Sequence, residues 1–157
     1  MTVYAHPFRH AFVRLASIVT LGATAAMPAH AALGAAEASV FADQAQTNAT
    51  LRTVTGAKFT MHELQVPSGT LMREYVAPGG VVFGVAWEGP TMPDLRQLLG
   101  TNFDAYVAAV AARRARGPVS VELPGLVVQS SGRQRAFVGR AYVPQSVPTG
   151  VSAEDVR

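Results

Sequence analysis

The chain has 157 residues, of which 49% are hydrophobic and 15% are charged, and its formal net charge is +3. This length and composition are typical of a single globular domain and exclude a disordered chain. The chain contains no cysteine, which excludes a disulfide-rich miniprotein, a cysteine-ligated zinc module and a thiol nucleophile.

Residues 1–31 follow the pattern of a secretory signal peptide. Arg9 and Arg14 give a positive start, residues 15–26 are uncharged and mostly apolar, and residues 29–31 read Ala-His-Ala, an A-x-A cleavage site. The apolar run is well short of the roughly 20 residues that a membrane-spanning helix needs. We therefore predict export to the periplasm or the cell exterior, with an uncleaved anchor or a buried helix as the alternatives.

Cleavage after Ala31 would leave residues 32–157 as the mature chain. It would also remove Arg9 and Arg14, which lowers the formal net charge of +3 by two. Of the four histidines, only His62 would remain. A nearly neutral, exported chain is not expected to bind nucleic acid, because phosphate contacts require a basic surface. No later run is long enough to predict a membrane span.

The first part of the predicted mature chain, residues 32–57, is rich in alanine and other small residues and is interpreted as an N-terminal lead-in. Ser39 is placed to cap a short helix that runs through Phe41 and Ala45. A mobile lead-in without this helix is the alternative.

Three strands are then predicted at residues 59–66, 70–77 and 81–88, because these runs are rich in β-branched and aromatic side chains. Turn sequences that combine proline and glycine separate them at residues 67–69 and 78–80. The turns have hairpin length, so the strands are expected to form an antiparallel meander.

Two helices follow the meander. Thr91 is predicted to cap the first helix, with Pro93 in its first turn and Asp94 three residues after the cap, and Gly100 ends this helix. The second helix has an apolar stripe at helical spacing. The stripe consists of Phe103, Tyr106, Val107, Val110 and Ala111.

Residues 119–123 alternate between apolar and polar side chains, as a half-buried strand does. Further strands are predicted at residues 126–130 and 135–143. Residues 144–157 show no periodicity and are interpreted as a loose tail on the surface. The element order predicts one α+β domain over residues 58–143, with helices covering one face of an antiparallel sheet.

Several stretches resemble a known family. They are HELQVPSGT at residues 62–70, REYV at 73–76, PDLRQLLG at 93–100 and GRAYVP at 139–144. These stretches are similar to the DUF2844 family of exported proteobacterial proteins of uncharacterised function. The resemblance covers essentially the whole predicted mature chain; it implies export and supplies no catalytic residue.

His62 and Glu63 form the most chemically suggestive pair, because histidine is suited to proton transfer near neutral pH. Adjacent residues on a strand point to opposite faces, so these two side chains are not expected to act together. His62 is instead expected to lie near Glu74 across the first hairpin. A surface or hydrogen-bonded structural histidine is favoured over a catalytic or metal-binding one.

No other motif indicates a reaction or a cofactor. Ser68 lies in a turn sequence rather than in a nucleophile elbow, and no phosphate-binding glycine loop is present. With one histidine and no cysteine, no spacing of metal ligands stands out, although a carboxylate site for a hard cation stays open. The sequence therefore predicts no cofactor and no metal.

Two hypotheses remain. The favoured one is a non-enzymatic binding or accessory module of the cell envelope, which contacts an unidentified envelope protein or surface through a sheet edge or through the face of Arg73, Glu74 and Tyr75. The alternative is a small hydrolase or carboxylate-based enzyme that uses His62 with Glu74 or Asp94. The candidate binding residues are His62, Arg73, Glu74, Tyr75, Trp87 and Arg140, with a core role favoured for Trp87.

Overall fold

The structure is a computed structural model that describes residues 33–113 and 117–157. The predicted signal peptide at residues 1–31 lies outside the described residues. Within them, no helix is both long enough and apolar enough to cross a membrane.

In the described part of the chain, seven strands form one antiparallel sheet. They are β1 Thr50–Thr55, β2 Thr60–Gln65, β3 Leu71–Val76, β4 Val82–Gly89, β5 Val119–Leu123, β6 Leu126–Arg133 and β7 Ala136–Tyr142. Their order across the sheet is β1-β2-β3-β4-β7-β6-β5. Two meanders, β1 to β4 and β5 to β7, are therefore joined where the last strand of the chain pairs with β4.

Within residues 33–113 and 117–157, three α-helices accompany the sheet: α1 Ala38–Thr47, α2 Leu95–Leu99 and α3 Phe103–Ala112. The Asp94 carboxylate accepts hydrogen bonds from the backbone N–H groups of Arg96 (2.8 Å) and Gln97 (3.2 Å), which starts α2. Asn48 ends α1 with a left-handed backbone, φ 53°. The helix through Phe41, the two later helices and the α+β fold class are as predicted. Ser39 does not cap α1, because it lies inside the helix, where its hydroxyl donates to the main-chain oxygen of Ala36 at 2.6 Å.

The two faces of the sheet are covered by different parts of the chain. On the helix face, α1, α2 and α3 enclose an apolar core that includes Leu64, Trp87 and Val128. On the opposite face, which we call the segment face, residues 144–157 lie over a second cluster. That cluster consists of Tyr75, Phe83, Ala86 and Val156.

A register shift opposite Tyr75 and Val76 of β3 allows side chains of β4 to pack in the cores on both faces of the sheet. The bulge places Phe83 on the segment face, whereas Val85 and Trp87 join the core on the helix face. Residues 82–87 are all buried, as predicted for a strand that is covered on both sides.

The structure differs from the sequence interpretation at both ends of the predicted domain. β1 lies within residues 32–57, which were expected to hold no strand. β1 is an edge strand, and five of its six residues are exposed while the sixth is partly buried. Its sequence therefore shows little alternation of apolar and polar side chains. Residues 144–157 are not a loose tail, because Val156 is fully buried. The few apolar side chains of this segment lie on irregular backbone, so their spacing matches neither a helix nor a strand.

Candidate functional site

The three neighbouring candidates on β3 point to opposite faces of the sheet. Arg73 and Tyr75 lie on the segment face, whereas Glu74 lies on the helix face beneath α1. The predicted binding face of Arg73, Glu74 and Tyr75 is therefore wrong as a single surface, because successive side chains of a strand alternate.

A cavity of about 930 Å³ lies on the segment face. The β1–β2 hairpin forms one wall through Phe59 and Met61, and the β6–β7 hairpin forms the other through Gln129 and Val138. Arg140 also lines it, so four of the six candidate residues border this cavity: Arg73, Tyr75, Trp87 and Arg140.

The guanidinium group of Arg73 is held in place by two partners. Its Nε atom donates to Glu63 Oε1 at 3.2 Å, and its Nη1 atom donates to the main-chain oxygen of Arg157 at 3.3 Å. Glu63 also pairs with Arg52 at 3.0 Å. The Arg73 side chain is 22% exposed, so it keeps access to the cavity while its orientation is fixed.

Arg140 is fixed in a similar way from the other side of the cavity. Its Nε atom donates to Gln129 Oε1 at 2.8 Å. Its Nη1 atom donates to the main-chain oxygens of Ala153 at 2.9 Å and Val156 at 3.4 Å. Arg140 therefore joins the sheet to residues 144–157.

Tyr75 lies two residues after Arg73 on β3 and is 2% exposed at the cavity. Its hydroxyl donates to the Arg157 main-chain oxygen at 2.6 Å and accepts from the Arg157 N–H at 3.1 Å. Its ring packs edge-on against Phe59, with 5.6 Å between centroids. Burial raises the pKa of the Tyr75 phenol above its usual value, so the hydroxyl keeps its proton at neutral pH and can donate.

His62 lies on the helix face, away from the cavity, and is 1% exposed. Its Nδ1 atom is 2.9 Å from Thr53 Oγ1 and its Nε2 atom is 2.8 Å from Glu37 Oε1. The ring also packs edge-on against Phe41 of α1. Both ring nitrogens have protein partners, which is the hydrogen-bonded structural histidine that the sequence favoured.

Glu74 lies directly opposite His62 in the β2–β3 pairing, as predicted. Its carboxyl group is fully buried, and neither oxygen has a hydrogen-bond partner in the described part of the chain. Burial, with a smaller contribution from the charge of Asp43 on α1, raises its pKa to about 8. Glu74 is therefore a neutral carboxylic acid at pH 7.

Trp87 is the last candidate, and it belongs to the core. Its side chain is 1% exposed and packs on the helix face, over the Cα of Gly139 on the neighbouring strand. Trp87 also borders the cavity, but its buried side chain belongs to the core cluster on the helix face, so the core role that the sequence favoured is confirmed.

A family model described as "Protein of unknown function (DUF2844)" matches residues 29–156. The chain belongs to this family. No curated protein and no solved structure matches it.

A second, smaller cavity of about 380 Å³ lies on the helix side of this DUF2844 protein. It is bordered by Asp43, Thr70, Thr91 and Asp94. Asp43 binds the Gln97 side chain at 2.7 Å, and Asp94 caps α2, so both acids serve the fold. Among the described residues, no three His, Asp or Glu side chains are placed to hold a metal ion.

The sequence interpretation of this DUF2844 protein missed the contribution of residues 152–157 to the cavity. Asp155 and Arg157 line it, and Val156 fills the adjoining cluster. One local signal was available: Ser152 and Asp155 form a capping box, which indicates an ordered turn rather than a loose tail.

Proposed function

We propose that this protein is an exported, non-enzymatic binding module of the cell envelope, and that it contacts its partner through the cavity on the segment face. The observation that carries the proposal is the meeting of Arg73, Tyr75 and Arg140 at one cavity. The three side chains come from two strands that are distant in sequence, β3 for Arg73 and Tyr75 and β7 for Arg140. Hydrogen bonds hold them in fixed orientations. Preorganised arginine and tyrosine side chains are frequent anchors of protein recognition.

The composition of the cavity also favours binding. Its volume lies in the range of about 300–1,000 Å³ that is typical of ligand sites. Apolar walls surround the guanidinium groups of Arg73, Arg140 and Arg157 and the carboxylates of Glu88 and Asp155. Such a lining suits a partner that offers apolar groups together with hydrogen-bond acceptors.

The alternative of a hydrolase that uses His62 has less support. A general base must come within hydrogen-bond reach of the proton it removes. His62 is buried under α1 with both nitrogens bonded, and Glu74 beside it is fully buried. Asp94 is engaged as the cap of α2. None of these groups borders the large cavity.

The test is site-specific photo-crosslinking in intact cells that export the protein. A photo-reactive amino acid at position 138, which is 52% exposed at the cavity, should give a discrete adduct with an envelope component. The matched control is Val107, an exposed valine on α3 (44%) on the helix side of the sheet. Equal adducts at both positions, or none at 138, would contradict the proposal.

A further inference from the structure

Residues 152–157 occupy the segment face as an ordered segment. The Ser152 hydroxyl accepts from the Glu154 N–H at 3.2 Å, and the Asp155 carboxylate accepts from the Ser152 N–H at 2.8 Å. This capping box closes a short 3₁₀ turn at Ala153–Asp155. The turn places Val156 in the buried cluster and brings the main chain of Arg157 within hydrogen-bond distance of the Tyr75 hydroxyl.

Three side chains of the sheet bind this segment through its main chain. Arg140 donates to the carbonyl oxygens of Ala153 and Val156. Tyr75 exchanges two hydrogen bonds with the main chain of Arg157, and Arg73 donates to the same carbonyl. Main-chain contacts of this kind do not depend on which side chains the bound segment carries.

One pocket selects a side chain. Val156 is 0% exposed and packs with Tyr75, Phe83 and Ala86. The space exists because Gly84 has no side chain: a Cβ atom at that position would lie 2.9 Å from Val156 Cγ2 and 3.1 Å from Cγ1. The pocket therefore fits a β-branched aliphatic side chain and depends on a glycine in β4.

Main-chain donors beside a single side-chain pocket are the elements of peptide recognition. We infer that the segment face is a peptide-binding site, that residues 152–157 occupy it as an internal ligand, and that the partner is a peptide whose β-branched aliphatic residue replaces Val156. This inference rests on the proposed function and names the partner class. The open cavity next to Asp155 and Arg157 provides room for the rest of such a peptide.

The internal segment regulates access to the site. A tethered ligand competes at an effective concentration that is on the order of millimolar for a short linker. A partner peptide therefore binds the intact protein weakly until the internal segment is released. Weakening the segment without altering the pocket should expose the site.

The experiment measures the binding of a fluorescently labelled peptide with the sequence of residues 147–157 to full-length variants by anisotropy. Val156→Asp places a carboxylate in the apolar pocket and should release the internal segment. We expect it to bind the peptide at least about tenfold more tightly than the wild type does, because the tethered competitor is lost. Thr149→Asp is the matched control, since this exposed residue precedes the docked turn, and it should behave as the wild type.

Gly84→Ala separates release from recognition. Its Cβ atom should displace Val156 and fill the pocket, so this variant should release the segment and still fail to bind the peptide. Release is measured independently by the rate of Glu-C cleavage after Glu154, which should rise in Gly84→Ala and in Val156→Asp. Circular dichroism shows that the variants are folded, and the milder Val156→Ala replaces Val156→Asp if the latter unfolds.

No peptide binding by a folded variant that releases its segment would overturn the inference. A wild-type dimer that dissociates in Val156→Asp would also overturn it, because a second copy would then be the occupant. Neither result depends on the adduct at position 138. An adduct without peptide binding therefore refutes only this inference, and peptide binding without an adduct refutes the envelope partner of the proposed function.

Discussion

Glu74 is the residue at which burial and charge conflict most directly. Its carboxyl group lies between the sheet and α1, with His62 opposite on β2 and Asp43 on the helix. The His62 ring is engaged with Thr53 and Glu37, so it does not donate to Glu74. The carboxyl group avoids an unpaired buried charge by staying protonated.

This arrangement makes stability depend on pH. The folded pKa of Glu74, about 8, is above the ordinary value of 4.5, so the folded state binds the proton more tightly. The free energy of unfolding should therefore fall as pH rises from about 4.5 to 8, by a total on the order of 5 kcal/mol. In Glu74→Gln, which cannot ionise, urea denaturation should show a much smaller fall. The exposed Glu122→Gln on β5 should keep the wild-type profile, and a steep fall in Glu74→Gln would refute this assignment.

Gly139 gives a prediction about packing. A Cβ atom on Gly139 would overlap the indole ring of Trp87 and lie 2.8 Å from the main-chain oxygen of Gln129. Since Trp87 is enclosed on the helix face, Gly139→Ala should destabilise the fold by about 1–3 kcal/mol, measured by denaturant unfolding. Gly125→Ala in the β5–β6 turn adds the same methyl group where nothing lies within 4 Å, and its stability should match the wild type.

At the scale of elements, the capping of α2 is the most direct link from sequence to structure. The sequence placed the cap at Thr91 and Asp94 three residues after it. In the structure Asp94 is itself the N-cap, and its carboxylate accepts from two N–H groups at the helix start. Asp94→Ala should cost about 1 kcal/mol of unfolding free energy, whereas Asp94→Asn, which can also cap, should cost much less. Equal losses in the two variants would show that the charge of Asp94 matters more than the cap.

The elements that sequence could predict are those with a local signal. Turn sequences and β-branched runs located β2, β3 and β4, and helical spacing located α3. β1 was missed because an edge strand with exposed side chains has no apolar alternation. The pairing of β4 with β7 joins residues that lie about fifty positions apart, and no local pattern determines such a contact.

At the scale of the whole molecule, the same sheet uses its two faces differently. The helices close the helix face with a continuous core, whereas residues 144–157 cover only part of the segment face and leave the cavity beside them. Sequence could indicate Arg73, Tyr75 and Arg140 as recognition residue types. Strand alternation alone separates Arg73 and Tyr75 from Glu74. Sequence could not show that Arg140 shares their face, since that depends on sheet register and on strand order.

Export is a prediction that rests on the sequence of residues 1–31, and proteolytic processing of the exported chain provides its test. If residues 1–31 are a signal peptide, the exported protein should have an intact mass that begins at Ala32. Signal peptidase requires small residues at the first and third positions of the A-x-A site. The double variant Ala29→Leu and Ala31→Leu should therefore keep residues 1–31. His30→Leu, at the variable position between them, should be processed normally, and a wild-type exported mass that still includes residues 1–31 would refute cleavage.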